Sequence, residues 1–357
     1  MPSLISWLDS TPEEQRAARE LVAMFSDKES RDELGIGPIR DAFSDLLFPG
    51  TSVLQTRARY YLFVPWCYLT PGVARLSGTA HRDGGRGNER ALIKTFLASN
   101  ESDKAGLIGG RVGVSVRNLP SDVYWNGMIR YGIREHRGAL GSFALPKGAS
   151  EGASEITTRA MTEWNRTIPP SPSGFPDAVE GGFALTFEEA SWLRDRIVGA
   201  TEGTLLAYLL EQGDPIDKDS PAPWFAAPEP QFEALHHARM FSLVMRGAAL
   251  LYNLLIAERY ERAGLQEEDE DTAGYYGELL AEWHDELLGT MGTALQGWDL
   301  DRMWQITKRS NPNIQRRAEE FVDRWVVGLR SGSSVADNAK LRALVEGADT
   351  VRAGLEN

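Results

Sequence analysis

The chain has 357 residues, 42% of them hydrophobic and 25% charged, a globular mixture long enough for two or three domains and unlike a disordered or fibrous one. Its net charge of −13 argues against a protein that coats nucleic acid over its whole surface. Its single cysteine, Cys67, rules out an internal disulfide and a thiolate cluster for zinc.

The charge is unevenly spread. Residues 51–140 hold 11 Arg and 2 Lys against 3 Asp and 3 Glu, an excess of +7, which leaves −20 for the rest. Such asymmetry points to an anionic partner for the basic part, either nucleic acid or an acidic protein surface. The sequence divides accordingly into a basic N-terminal helical domain (1–145), a connection rich in Gly, Ser and Pro (146–182) and an acidic α-helical domain (183–357). The N-terminus has no basic leader with a long apolar stretch, and the longest apolar runs, 62–66 and 248–252, are too short to span a bilayer. The expectation is a cytoplasmic protein without membrane contact.

In chain order, Thr11, Pro12 and Glu14 read as the start of a first helix, with Leu21, Met24 and Phe25 as its buried stripe. A second helix is expected over 38–47, ended by Pro49-Gly50. Ser52 and Gln55 form a capping box that predicts a helix through "TSVLQTRARYYLFVPW", to be kinked or ended by Pro65. Arg57 and Arg59 lie in this apolar run. One of them is expected to be buried, and a buried guanidinium needs a carboxylate. Asp41 and Asp45 are the nearest candidates in sequence.

A glycine-rich loop follows, opening into a helix near Asn88, its expected N-cap. The loop lacks P-loop spacing. Val112, Val114 and Val116 alternate as in a short strand, and a helix capped by Ser121 runs to about Ile133. Two helices and a β element resemble parts of a winged helix. On this reading Arg59, Arg130, Arg134 and Arg137 are the candidates for contacting phosphates. After the connection, Thr186 and Glu189 form a capping box. A long helix is expected over 231–261, with Leu235, Met240, Phe241, Val244, Leu251, Leu254 and Leu255 inside. Helices near 274–288, 299–308, 313–329 and 335–352 complete the chain. The fold class is mainly α.

The chemistry-bearing residues are few. His237 on the long helix and His284-Asp285 on a later one have the order found in His-Asp phosphohydrolases, where they would hold metal that activates water. Against this, a His-Asp dipeptide in an acidic amphipathic helix is common. Cys67, in an aromatic run, reads as a small buried hydrophobe. There is no G-x-S-x-G elbow, and no cofactor is expected.

The segments "MPSLISWLDSTPEEQ", "IRDAFSDLLFPGTSVLQTRARYYLFVPW" and "LPSDVYWNGMIRYGI" together resemble a bacterial family known as domain of unknown function 6361. The resemblance implies a bacterial cytoplasmic protein and supplies no site residues. Some such families travel with anti-phage defence genes. The function expected is a non-enzymatic accessory or adaptor subunit with a protein partner, or DNA or RNA on its basic face. Two alternatives stand beside it: a metal-dependent phosphoesterase and a purely structural subunit.

Overall fold

A computed structural model describes residues 35–99, 104–135, 163–212, 232–264 and 271–353, with side chains to 347. The helix expected at 11–25, together with Arg137 and Cys-free stretch 136–162, lies outside the described residues. The described chain is mainly helical and contains no strand; an isolated antiparallel bridge pairs Arg134 with Trp164.

The chain forms two compact units. One comprises Leu47–Pro215, the other Met1–Leu46 with Ile216–Asn357. This differs from the expected division at 146–182. Residues 163–182 belong to the first unit because their aromatics are part of its core: Trp164 is buried, Trp66 Nε1 donates to Pro169 O at 2.8 Å, and Phe175 packs on Phe63 and Trp66.

The Leu47–Pro215 unit is built on α2 (Tyr60–Leu69), which is buried almost throughout. Around it lie α3 (Pro71–Ala74), α4 (Gly78–Ala98), α5 (Pro120–Arg130), α6 (Phe187–Ala200) and α7 (Leu205–Gln212). α2 begins later than the Ser52–Gln55 box predicted. Those residues instead close a turn: Ser52 Oγ accepts from Leu54 N–H, and Gln55 Nε2 donates to Gly50 O. Pro65 lies inside the helix and does not end it. α4 begins ten residues before Asn88, whose amide caps another helix by donating to Cys67 O at 2.7 Å and Thr70 Oγ1 at 2.8 Å. The Thr186–Glu189 box is present as expected, with reciprocal bonds of 3.2 and 2.9 Å.

The predicted β element is absent. Val112, Val114 and Val116 flank or form a single 3-10 turn, Gly113–Ser115. Gly109 and Gly113 take positive φ, and a Cβ at Gly109 would stand 2.9 Å from Gly113 O, so the backbone folds back where a strand would run on. The winged-helix resemblance falls with the strand.

The second unit contains α1 (Gly37–Leu47), α8 (Glu233–Arg262), α9 (Thr272–Gly297), α10 (Leu300–Ser310), α11 (Arg316–Arg330) and α12 (Ala339–Ala353). All seven apolar residues expected on the long helix are buried. Gly247 of α8 leaves the space that the Trp283 ring occupies, and Trp283 and Trp325 donate to Leu243 O and Val244 O. α8 is long and apolar enough to cross a membrane by length and composition, but half of that window is buried within the protein, the pattern of a core helix.

Candidate nucleic-acid interface

The arginines that the sequence singled out separate into structural and exposed ones. Arg59 caps the start of α2 and is 3% exposed. It donates to Glu180 O at 2.9 Å, Gly182 O at 2.6 Å and Glu189 Oε1 at 2.8 Å. Its partner is therefore Glu189, and neither Asp41 nor Asp45 is used; Asp41 pairs with Arg40. Glu189 thus serves both its own helix cap and the buried guanidinium. Arg57 donates to Ala105 O at 2.8 Å.

Arg134 is also buried. It meets Glu163 Oε1 at 2.5 Å and lies 3.8 Å over the Trp125 ring. Burial lowers its pKa, and Glu163 works against that. Neither Arg59 nor Arg134 can meet phosphates, because each is committed to a carboxylate inside the protein. Of the four candidates, Arg130 is exposed, and Arg137 lies outside the described residues.

The His-Asp residues do not converge. His237 is buried, and its Nδ1 accepts from Trp298 Nε1 at 2.9 Å, which occupies that lone pair. Burial lowers its pKa, with His236 adding to the effect. His284 follows Trp283, which bonds Leu243, six residues and about 9 Å along α8 from His237. Asp285 points to solvent. Among the described residues no three His, Cys, Asp or Glu side chains could hold a metal together. Cys67 is buried, with its thiol pushed well up by burial and by Glu89.

The basic face lies elsewhere, on α4. Arg82, Arg86, Arg90 and Lys94 recur every four residues, about 6 Å apart along the axis. Arg82, Arg90 and Lys94 are exposed. Arg86 is fixed by a two-pronged bond to Asp122 of α5, at 2.8 and 3.1 Å. The 3-10 turn packs against the C-terminal half of α4 and carries Arg111 and Arg117 at its two ends. Among the described residues, Arg90, Lys94, Arg111 and Arg117 are exposed and make no ion pair. The row was hidden from sequence reading because "SGTAHRDGGRG" looks like a loop; the four-residue spacing was the signal that could have found it.

The adjoining stripe of α4, about 100° around the helix, explains how the row is held. His81, Gly85 and Glu89 also recur every four residues, and all are buried. Gly85 leaves a notch for the Tyr68 ring, since a Cβ there would overlap its edge. Tyr68 donates to Glu89 Oε1 at 3.0 Å, and the Ser121 N–H at the start of α5 donates to Oε2 at 2.7 Å. Burial raises the Glu89 pKa, while these bonds, led by Ser121, oppose the rise. His81 Nδ1 lies 3.1 Å from Val73 O, and its Nε2 faces Glu163 at 3.7 Å. α4 is thus pinned to α2, α3 and α5 from inside while its outer face stays cationic.

The molecule is a helical protein of two units, one with a cationic outer face and no assembled catalytic group among the described residues. It belongs to the family of unknown function DUF6361, whose model matches residues 2–349. No curated protein and no solved structure matches the chain.

Proposed function

We propose that the chain is a non-enzymatic accessory subunit that binds nucleic acid through the outer face of α4. The observation that carries this reading is the group of four exposed cations, Arg90, Lys94, Arg111 and Arg117, which form no ion pair among the described residues and lie on one helix and the turn packed against it. Phosphates are their natural counter-charge, and four cations spread over a helix and a turn suit a linear polyanion better than a point ligand. Among the described residues no aromatic ring is exposed along the row, so contact would be to the backbone and would position the protein without reading bases. Bacterial defence against phage, as the setting, comes from the family resemblance and not from this face.

The test offers the full chain to labelled duplex and single-stranded DNA and RNA at low salt, beside a pull-down from a native host. Binding should be lost on Arg90→Glu with Lys94→Glu. Retention on no nucleic acid, with a protein partner captured and then lost in the same variant, would replace this reading with a protein adaptor.

A further inference from the structure

The turn between Arg111 and Arg117 has a feature that phosphate binding leaves unexplained. In "RVGVSVR" the valines should be buried if the segment were a strand; instead Val112 is 61% and Val114 43% exposed. Leu97, at the end of α4, is 36% exposed and would lie 3.9 Å from a Cβ on Gly113, so it adjoins the same tip. The turn is well held. Ser115 Oγ donates to Val112 O at 2.7 Å, Gly113 N–H to Gly109 O at 2.7 Å, and Val116 N–H to Gly113 O at 3.2 Å. Lys104 Nζ donates to Leu97 O at 2.9 Å and adds a further cation beside it. A fixed apolar tip therefore projects between two arginines, at one end of a row of cations.

We propose that this tip is a wedge for duplex DNA: with Arg90, Lys94, Arg111 and Arg117 on phosphates, Val112 and Val114 enter the minor groove, part a base step and bend the duplex. The inference rests on the nucleic-acid reading above. Apolar side chains flanked by cations are the means by which minor-groove proteins unstack a step, and the cost of unstacking is offset by the additional protein surface that the bent duplex meets. The wedge contacts no base edge that distinguishes sequences, so selectivity follows deformability. Flexible pyrimidine–purine steps and mismatches are favoured over stiff A-tracts. An anionic bilayer offers similar chemistry but suits this face less well. Arg111 and Arg117 flank the tip, but Arg90 and Lys94 extend the cations along α4 to one side of it, and two valines bury little area for anchoring, where even a full acyl chain holds only marginally.

The experiment uses the full chain and a duplex of about 25 bp, end-labelled for energy transfer, with one central TA step, a mismatch or an A-tract. Anisotropy reads affinity and energy transfer reads bending; vesicles of phosphatidylserine and phosphatidylcholine serve as a parallel arm. The wild-type protein should shorten the end-to-end distance and prefer the TA and mismatched duplexes. Val112→Ser with Val114→Ser should abolish the shortening and the preference while leaving the salt dependence of binding unchanged, which shows that the variant is folded and its cations are in place. Binding without bending, or equal bending by the variant, overturns the wedge and leaves the nucleic-acid reading standing. No retention on any duplex overturns the wedge; no retention on single-stranded DNA or RNA either overturns both. Vesicle binding lost in the valine variant, without duplex binding, assigns the tip to a lipid surface.

Discussion

Truncating Glu89 tests how the cationic face is built. Its carboxylate is fully buried and accepts from Tyr68 Oη and the Ser121 N–H. Glu89→Ala leaves two buried donors without an acceptor, each at a cost of about 1–3 kcal/mol. Some of this is offset, because the burial that raises the Glu89 pKa also makes the ionised group unfavourable in the folded state. The expected loss is therefore about 2–4 kcal/mol, with Tyr68→Phe costing less because Ser121 still meets the carboxylate. Glu89→Gln keeps an acceptor oxygen without the buried charge and should fall between wild type and Glu89→Ala. The pH dependence has a definite sign. A carboxyl group with a raised folded pKa holds its proton more tightly when folded, so its contribution favours the fold below the unfolded value of about 4.5 and declines as pH rises above it. Urea unfolding followed by tryptophan fluorescence at several pH values, for wild type and Glu89→Gln, reads both effects. A Glu89→Ala midpoint indistinguishable from wild type, or a wild-type stability that rises relative to Glu89→Gln as pH climbs above 4.5, would refute this reasoning.

Two further substitutions probe the same seam. Gly85→Ala places a methyl group against the Tyr68 ring and should cost about 1–3 kcal/mol, the usual range for overpacking; an unchanged thermal midpoint would show that the ring is not seated in the notch. Glu163→Ala leaves the Arg134 guanidinium buried without its carboxylate and should cost about 3–5 kcal/mol in urea unfolding, whereas removing both charges as Arg134→Met with Glu163→Gln should cost markedly less.

Much of the helical frame was legible in the sequence. The seven apolar positions of α8 follow from their spacing, and Thr186 with Glu189 caps α6 through bonds between neighbours, which local sequence can specify. Partners distant in the chain were not legible. Arg59 was recognised as a guanidinium in need of a carboxylate, but that carboxylate comes from Glu189, 130 residues away, rather than from the adjacent helix. Arg134 looked like one of a surface row until its tertiary neighbours, Glu163 and Trp125, enclosed it. The start of α4 was misread because glycines at 84, 85 and 87 mark a loop by propensity. At Gly85 the missing side chain instead admits Tyr68, and tertiary packing outweighs the local preference. That misreading also concealed the cationic row, since a helical face exists only once the segment is seen to be a helix.

The central claim is that Arg90, Lys94, Arg111 and Arg117 meet phosphates, and the salt dependence of duplex binding measures it most directly. Four neutralised phosphates give a log–log slope of affinity on salt of about −3.6, and Arg90→Glu with Lys94→Glu should remove at least two contacts, making the slope shallower by about 1.8 or abolishing binding. An unchanged slope and affinity in that variant would contradict the account.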